Sequence, residues 1–448
     1  MSITDGLRRR VRWGLRHGLI KFAMNRGVKA GDLGARLMVE RSLIEEPFEA
    51  YETMRGRGRL VPNGIVLLAH DHDLCTAVLR SQDFGVVGGP SGPTPPALAA
   101  LDRFAGPGPI GPIEPPSMLT VDAPDHTRYR KLVTRAFTAR AIGKLRTRTE
   151  EIAVELLDEM AAKQGPTDLI DDYASLLPAT VIAEMLGAPV SMRRQFLEWG
   201  AGGAMSLDAG LDYRDFVQSE NDLQALDDWM RGHFAEIRRN PGQNILSDLV
   251  TARDGGVAGE NMLTDDELAS IAILLLAAGF ETTVNLIGNA VALLTDHPDQ
   301  LALLQSGDAQ WSTAVDEALR LESPVQRTAR VAHRDTEVAG EQVPAGKIVV
   351  TVLAAANRDP KVFTDPARFD VTRENAGDHV AFSSGIHYCL GAGLARMEAE
   401  VGLRALFERF PDLALTGRPH RRPTRTLRGF DAMPVRLEKA VEQVEQHA

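Results

Sequence analysis

The ten residues from Phe382 to Gly391, Phe-Ser-Ser-Gly-Ile-His-Tyr-Cys-Leu-Gly, carry the strongest chemical signal in the chain. With this composition, the fixed positions Phe-x-x-Gly-x-His-x-Cys-x-Gly arise by chance on the order of 10⁻⁵ times per chain. The glycines permit a tight turn whose backbone amides can aim at the Cys389 sulfur, and a helical pattern, Leu394 to Phe407, starts just beyond it. Amide dipoles and a helix N-terminus favour thiolate over thiol. Set on an iron ion, such a thiolate pushes electron density that favours O–O cleavage. No second cysteine lies nearby, so zinc binding and dithiol redox chemistry are poor readings of Cys389.

Three other groups of residues could serve the same chemistry. Ala277-Ala278-Gly279-Phe280-Glu281-Thr282-Thr283 lies midway along the longest helical pattern, Thr264 to Leu294. Ala278 and Thr282 are four apart, so the Thr282 hydroxyl can bond the Ala278 carbonyl and open the helix locally, while Gly279 lets a flat ligand approach the backbone. The result is a notch for dioxygen. Glu317 and Arg320 form an (i, i+3) pair that, alone, is worth only a few tenths of a kcal/mol at a surface. His126 and Arg130 share one helix face and could both reach an anion, although His126 by itself reads as a surface histidine.

Taken together, these segments resemble the cytochrome P450 monooxygenases, and the likeness to soluble actinobacterial members runs from Pro47 to Val435. It departs at Ser383, where a glycine is usual, with little functional consequence expected. The resemblance implies haem b as cofactor with Cys389 as the metal ligand, and Phe382, His387, Gly391, Ala278 and Gly279 as cofactor-binding residues. His126, Arg130 and Arg330, with His387 as a fourth candidate, would meet the haem propionates, because two buried carboxylates need such partners. Glu281 and Thr282 would be the catalytic acid and alcohol that deliver protons to dioxygen. Glu317, Arg320 and the Arg368 of Pro366-x-Arg368-Phe369 would brace the cysteine loop and do no chemistry.

The elements that must position these residues follow from periodicity. Arg59 to Val61 and Ile65 to Ala69 alternate as strands and precede a helical pattern, Asp71 to Arg80, in which Cys75 reads as a small core residue. Phe84 to Pro124 is dense in Gly and Pro and reads as a long functional loop. Helical patterns follow over Asp125 to Ala141, Thr147 to Lys163, Ala174 to Leu186, Asp215 to Arg239, Thr264 to Leu294 and Ala309 to Leu321. Strand signals return over Ala329 to Ala332, Glu337 to Val343 and Lys347 to Leu353, so the two ends of a helical middle are expected to pair. The fold class is mainly α with a small β lobe (α+β). The resemblance implies one triangular-prism-like domain, residues 31–448, behind a basic N-terminal extension, residues 1–30.

Composition limits the partners. The chain has 448 residues, net charge −11 and 44% hydrophobic residues, enough for a large core. The charge and the 5% aromatic content argue against nucleic acid. Two cysteines exclude a disulfide framework and fit a reducing cytoplasm. The longest apolar run, Ile271 to Phe280, falls short of the roughly 20 residues a bilayer-crossing helix needs, so no transmembrane segment is expected. The first thirty residues hold eight Lys/Arg and one acid, which suggests an amphipathic helix on the body or, alternatively, loose attachment to an anionic membrane surface. Arg418, Arg421, Arg422, Arg425 and Arg428 read as a solvated basic stretch. No dinucleotide fingerprint follows a strand, so the resemblance implies electrons from a separate ferredoxin and ferredoxin reductase, for which Arg128, Lys131 and Arg135 offer a basic face. The substrate would be a lipophilic small molecule, in a pocket that the resemblance places among Phe84–Pro124, Gly187–Asp222, the Ala278 helix, Val325-Gln326 and Phe430–Met433. A haem sensor or carrier and a peroxide-driven peroxygenase are the alternatives; the intact Glu281-Thr282 pair argues against both.

Overall fold

A single long helix, Asp265–Asp296, organises the molecule. Its start is fixed by a capping box: Thr264 Oγ1 accepts the Glu267 amide at 3.1 Å and the Glu267 carboxylate accepts the Thr264 amide at 2.7 Å. The helix is apolar on all sides, the pattern of a helix surrounded by protein. Length and composition would let it cross a membrane, yet 83% of its apolar window is buried inside the protein. Around it pack Leu176–Leu186, Arg193–Ser206, Tyr213–Arg239, Trp311–Leu321 and Ala392–Arg409. This architecture comes from a computed structural model that describes residues 3–87, 95–254 and 263–437.

The β lobe pairs the two ends of the chain, as the alternating runs predict. One sheet has the strand order Leu60–Asn63, Val66–Ala69, Ile348–Thr351, Thr328–Ala332, Phe84–Val86. Val66 to Ala69 run parallel to Ile348 to Thr351, while Arg330 pairs with Val349 on one side and Val86 on the other. Cys75 is fully buried against this sheet and its thiol donates to the Ala69 carbonyl.

Several elements differ from the sequence reading. The Gly- and Pro-rich stretch is not all loop: Pro96–Ala105 is a helix, and residues 88–94 lie outside the described residues. The predicted helix Asp125 to Ala141 is broken by a tighter turn over Thr134–Phe137, and the next helix starts at Ala139. Arg193–Ser206 is helical despite Gly200, Gly202 and Gly203, which disfavour a helix by propensity. Packing explains it: a Cβ on Gly200 would run into the Phe280 ring, and one on Gly202 would meet Asp222 Cβ at 2.5 Å. The glycines allow close approach of the Asp265–Asp296 and Tyr213–Arg239 helices.

Residues Ile3–Lys29 form one helix with a widened turn at Gly14–Gly18. It is packed on the body. The Arg12 guanidinium pairs with Glu220 and donates to the Ala105 carbonyl at 2.9 Å. Trp13 Nε1 donates to Leu211 O at 2.9 Å, and buried His17 accepts the Leu211 amide through Nδ1 at 3.2 Å.

Candidate active site

The loop of Cys389 is closed on itself and braced from three directions. The Cys389 amide donates to Phe382 O at 2.9 Å, and the Val380 amide donates to Asn357 Oδ1 at 2.7 Å. Asn357 in turn takes Arg320 Nη1 on its carbonyl at 3.0 Å. Arg80 Nε donates to Ser384 Oγ at 2.7 Å. Gly385 has φ +72°, and a Cβ there would strike the Leu79 carbonyl, so only glycine fits. Ser383 has φ +65°, the left-handed conformation in which a side chain is strained, and its buried hydroxyl has no hydrogen-bond partner. The usual glycine therefore has a backbone reason, and the serine carries a conformational cost that was not expected.

Arg396 stands over the Phe382 ring at 4.7 Å and pairs with Asp316 at 2.7 Å; Asp316 also faces His379 at 3.3 Å. Glu317 and Arg320 are fully buried and joined at 2.7 and 2.8 Å. The third member is a correction. Arg368 was expected, but its side chain is 63% exposed and only its carbonyl receives Arg320 Nη2. Arg373, 8% exposed, donates to Glu317 Oε1 at 3.2 Å instead.

Cys389 is exposed, and burial among its neighbours pushes its thiol up. The Gly391 amide bonds the sulfur, and Arg130 and Arg396 also favour the thiolate, but burial outweighs them. The Gly391 amide thus acts in the expected direction, toward thiolate, while burial acts against it. Gly391 precedes the helix Ala392–Arg409, and a Cβ there would meet open space.

The long helix is open along one strip. Ala278 is exposed and Thr282 half-buried, whereas Ala277, Phe280, Glu281 and Thr283 are buried. Thr282 Oγ1 donates to Ala278 O at 3.1 Å, the expected bond, within a helix that runs unbroken from Asp265 to Asp296. Gly279 is a correction: a Cβ there would meet Ile182 Cγ1 at 2.8 Å, so helix packing accounts for this glycine better than ligand approach does. Glu281, adjacent to Thr282 in sequence, turns its carboxylate to Arg422 as a buried ion pair.

Four basic groups converge near the loop. The rings of His126 and His387 lie 4.1 Å apart between centroids, Arg130 Nη2 donates to Tyr388 O at 2.7 Å, and Arg330 is 5% exposed. Burial, with Asp122 opposing it only weakly, lowers Arg330 to about 10. Burial and then the charges of His126, Arg330 and Arg130 hold His387 down to about 3, and burial followed by Arg130 lowers His126. Among the described residues the nearby acid is Asp122, 3.8 Å from His387, and His387 Nε2 has no hydrogen-bond partner. Two arginines and two histidines kept neutral by burial, with Asp122 as the nearby acid, are what a ligand carrying two carboxylates would complete. The donor set thus fits a haem: an exposed cysteine and a cluster of basic side chains with a single nearby acid among the described residues.

The C-terminal basic stretch is not solvated. Arg428 is buried on Glu322 at 2.7 Å, Arg421 reaches Glu322 at 3.2 Å, and Arg425 binds Met38 O at 3.0 Å. Only Arg418 of the five projects, at 84% exposure. Arg128, expected on an open basic face, is engaged by Glu267 and Asp125, while Lys131 and Arg135 are exposed.

The family description Cytochrome P450 matches residues 312–429. The protein named cytochrome P450 140 of Mycobacterium tuberculosis is 46% identical over 428 residues, 96% of this chain and 97% of that protein. The chain is a cytochrome P450. The 6-deoxyerythronolide B hydroxylase of Saccharopolyspora erythraea is 41% identical over 325 residues, 72% of this chain and 78% of that enzyme. The ligand-free crystal structure of Mycobacterium smegmatis CYP164A2 superposes with a TM-score of 0.79 at 33% identity, over 90% of this P450 and 99% of that chain. The protein is accordingly a monooxygenase-family oxidoreductase of the P450 fold, whose members bind haem through a cysteine thiolate.

Proposed function

We propose that this P450 inserts one atom of dioxygen into a lipophilic small molecule, by hydroxylation or epoxidation, with two electrons from a separate ferredoxin and ferredoxin reductase. The observation that carries the reading is the open strip of the long helix. Thr282 bonds Ala278 O there, and Glu281 is next to it on a chain whose Cys389 is exposed. Haem held by a thiolate supplies the oxygen activation. Cys389 would ligate the iron, Phe382 and Gly391 would shape the cysteine loop, and His126, Arg130, Arg330 and His387 would neutralise the propionates. Two protons and two electrons accompany each dioxygen, one oxygen atom going to product and the other to water. Thr282 would hold a proton at its hydroxyl. Glu281, paired with Arg422 in the structure, would leave Arg422, take a proton from water and pass it to Thr282.

The substrate class is supported by relatives such as the 6-deoxyerythronolide B hydroxylase named above. Exposed Lys131 and Arg135 suit an acidic ferredoxin. The cytoplasm is the proposed compartment. The decisive experiment pairs an optical titration of the ferric protein against lipophilic compounds with turnover of the best binder. Thr282→Ala should leave haem and substrate binding intact and divert most reducing equivalents to peroxide. Product formation as tightly coupled as in the parent would refute the relay.

A further inference from the structure

The helix Ile3–Lys29 has two faces of different chemistry. Its inner face is tied down by Arg12, Trp13 and His17, through Glu220, Ala105 O and the Leu211 backbone. Its outer face is apolar: Leu7, Leu19, Ile20 and Phe22 are 52%, 55%, 40% and 70% exposed. Leu7 and Leu19 are twelve positions apart. The extra residue absorbed by the widened turn at Gly14–Gly18 leaves about three full turns between them, so they share a face, and Phe22 follows one turn after Leu19. On the helix packed alongside, Leu101 and Phe104 are also exposed, with Arg8 standing 5.9 Å over the Phe104 ring.

Around this apolar face Arg8, Arg10, Arg26 and Lys29 are exposed, whereas Arg9, Arg12, Arg16 and Lys21 are paired with Glu220, Glu114 and Asp212 of the body; Asp5 is the one acid in the first thirty positions of a chain with net charge −11. Exposed leucine, isoleucine and phenylalanine flanked by Arg and Lys match a helix lying in the interface of an anionic bilayer, where apolar side chains enter the acyl boundary and the basic ones meet headgroup phosphates. An acidic protein surface would use the charges and leave the apolar side chains unused.

We propose that the outer face of Ile3–Lys29 is a docking surface for an anionic lipid bilayer. The same helix grips Ala105 and Leu211, in the two segments expected to edge the substrate pocket. A docked helix then sets the pocket mouth against the lipid that dissolves a lipophilic substrate; this consequence, unlike the docking itself, rests on the proposed monooxygenase reading.

The test is flotation of the haem-loaded protein with vesicles of phosphatidylcholine, with and without phosphatidylglycerol, so that it reads binding and no turnover. The expected result is recovery with the phosphatidylglycerol vesicles and at least tenfold weaker binding to phosphatidylcholine alone. Raising salt until the Debye length falls to about 3 Å should remove most of it. Leu19→Ser with Phe22→Ser should lower the partition at least tenfold with the haem spectrum unchanged. Arg26→Gln with Lys29→Gln should lower it roughly 25-fold, since each basic residue near an anionic surface multiplies the partition roughly fivefold. Absence of binding, equal binding to both vesicle types, or binding that survives the Leu19 and Phe22 substitutions would overturn the proposal. Loss of monooxygenase activity in any other assay would leave it standing.

Discussion

Two clusters of basic side chains support the loop of Cys389, one through Asn357 and one directly, and they differ in whether the protein completes them. Arg320 and Arg373 share the carboxylate of Glu317, and Arg320 fills its remaining donors with the carbonyls of Asn357, Pro366 and Arg368. His126, Arg130, Arg330 and His387 are just as crowded, yet Asp122 is the nearby acid among the described residues. A saturated cluster is architecture; an unsaturated one is a binding site described by what it lacks. The distinction rests on the cost of leaving a buried charge unpaired, which evolution avoids unless a ligand supplies the partner.

The comparison can be broken most forcefully at Glu317. Glu317→Ala leaves two buried guanidinium groups facing each other and should cost about 3–5 kcal/mol of stability in the haem-free and haem-loaded forms alike. Urea unfolding of both forms checks this. A loss confined to the haem-loaded protein would make the cluster part of the cofactor site.

Acid should separate the two forms at the other cluster. His387 is held down to about 3 in the folded chain, below its unfolded value of about 6.5, so the unfolded state binds more protons between those values. Stability must then rise with pH across that window and be lost as pH falls from 6.5. Between pH 6.5 and 5 the haem-free protein should lose about 2 kcal/mol through His387. Propionates beside the ring would raise its folded value and shrink the loss. His17, lowered to about 4 by burial, acts equally in both forms and cancels. Equal acid sensitivity of the two forms would place the propionates elsewhere.

At Arg330 the two readings predict opposite signs. Arg330→Met removes a desolvated charge from among like charges, so the haem-free protein should be unchanged or slightly more stable. Haem retention should nevertheless fall about tenfold, or about 1.4 kcal/mol, as one charge-assisted hydrogen bond is lost. Competition for haem by apomyoglobin measures it. A destabilised haem-free protein with unchanged haem retention would move Arg330 into the architectural class.

The legible parts of the molecule were those whose signal is local. The cysteine loop shows itself because chemistry needs five residues within ten positions, and the Asp265–Asp296 helix because its cap and apolar run adjoin. The pairing of Val66–Ala69 with Ile348–Thr351 followed from alternation at both ends of a helical middle. What stayed hidden depends on partners distant in sequence. Arg373 displaced Arg368 because which arginine reaches Glu317 is set by the path of the chain after Pro366. Arg422 and Arg428 looked solvated because their acids, Glu281 and Glu322, lie more than a hundred residues earlier. The helix Arg193–Ser206 has the glycine content of a loop and exists only because its neighbours need to come close.

Ser383 gives the finest test of the loop that both clusters serve. Its φ of +65° is maintained by the Cys389 amide on Phe382 O and the Ser383 amide on Val380 O, and its buried hydroxyl contributes no hydrogen bond in return. Ser383→Gly removes the left-handed penalty, worth roughly 1–2 kcal/mol, but adds freedom to the unfolded chain, worth roughly 0.4–1 kcal/mol. The net gain should be about 1 kcal/mol or less, read as a raised urea midpoint at unchanged slope, with the haem absorption spectrum unaltered. A destabilised variant would mean that the hydroxyl finds a partner when the cofactor is bound, and the serine would then belong to the site instead of straining it.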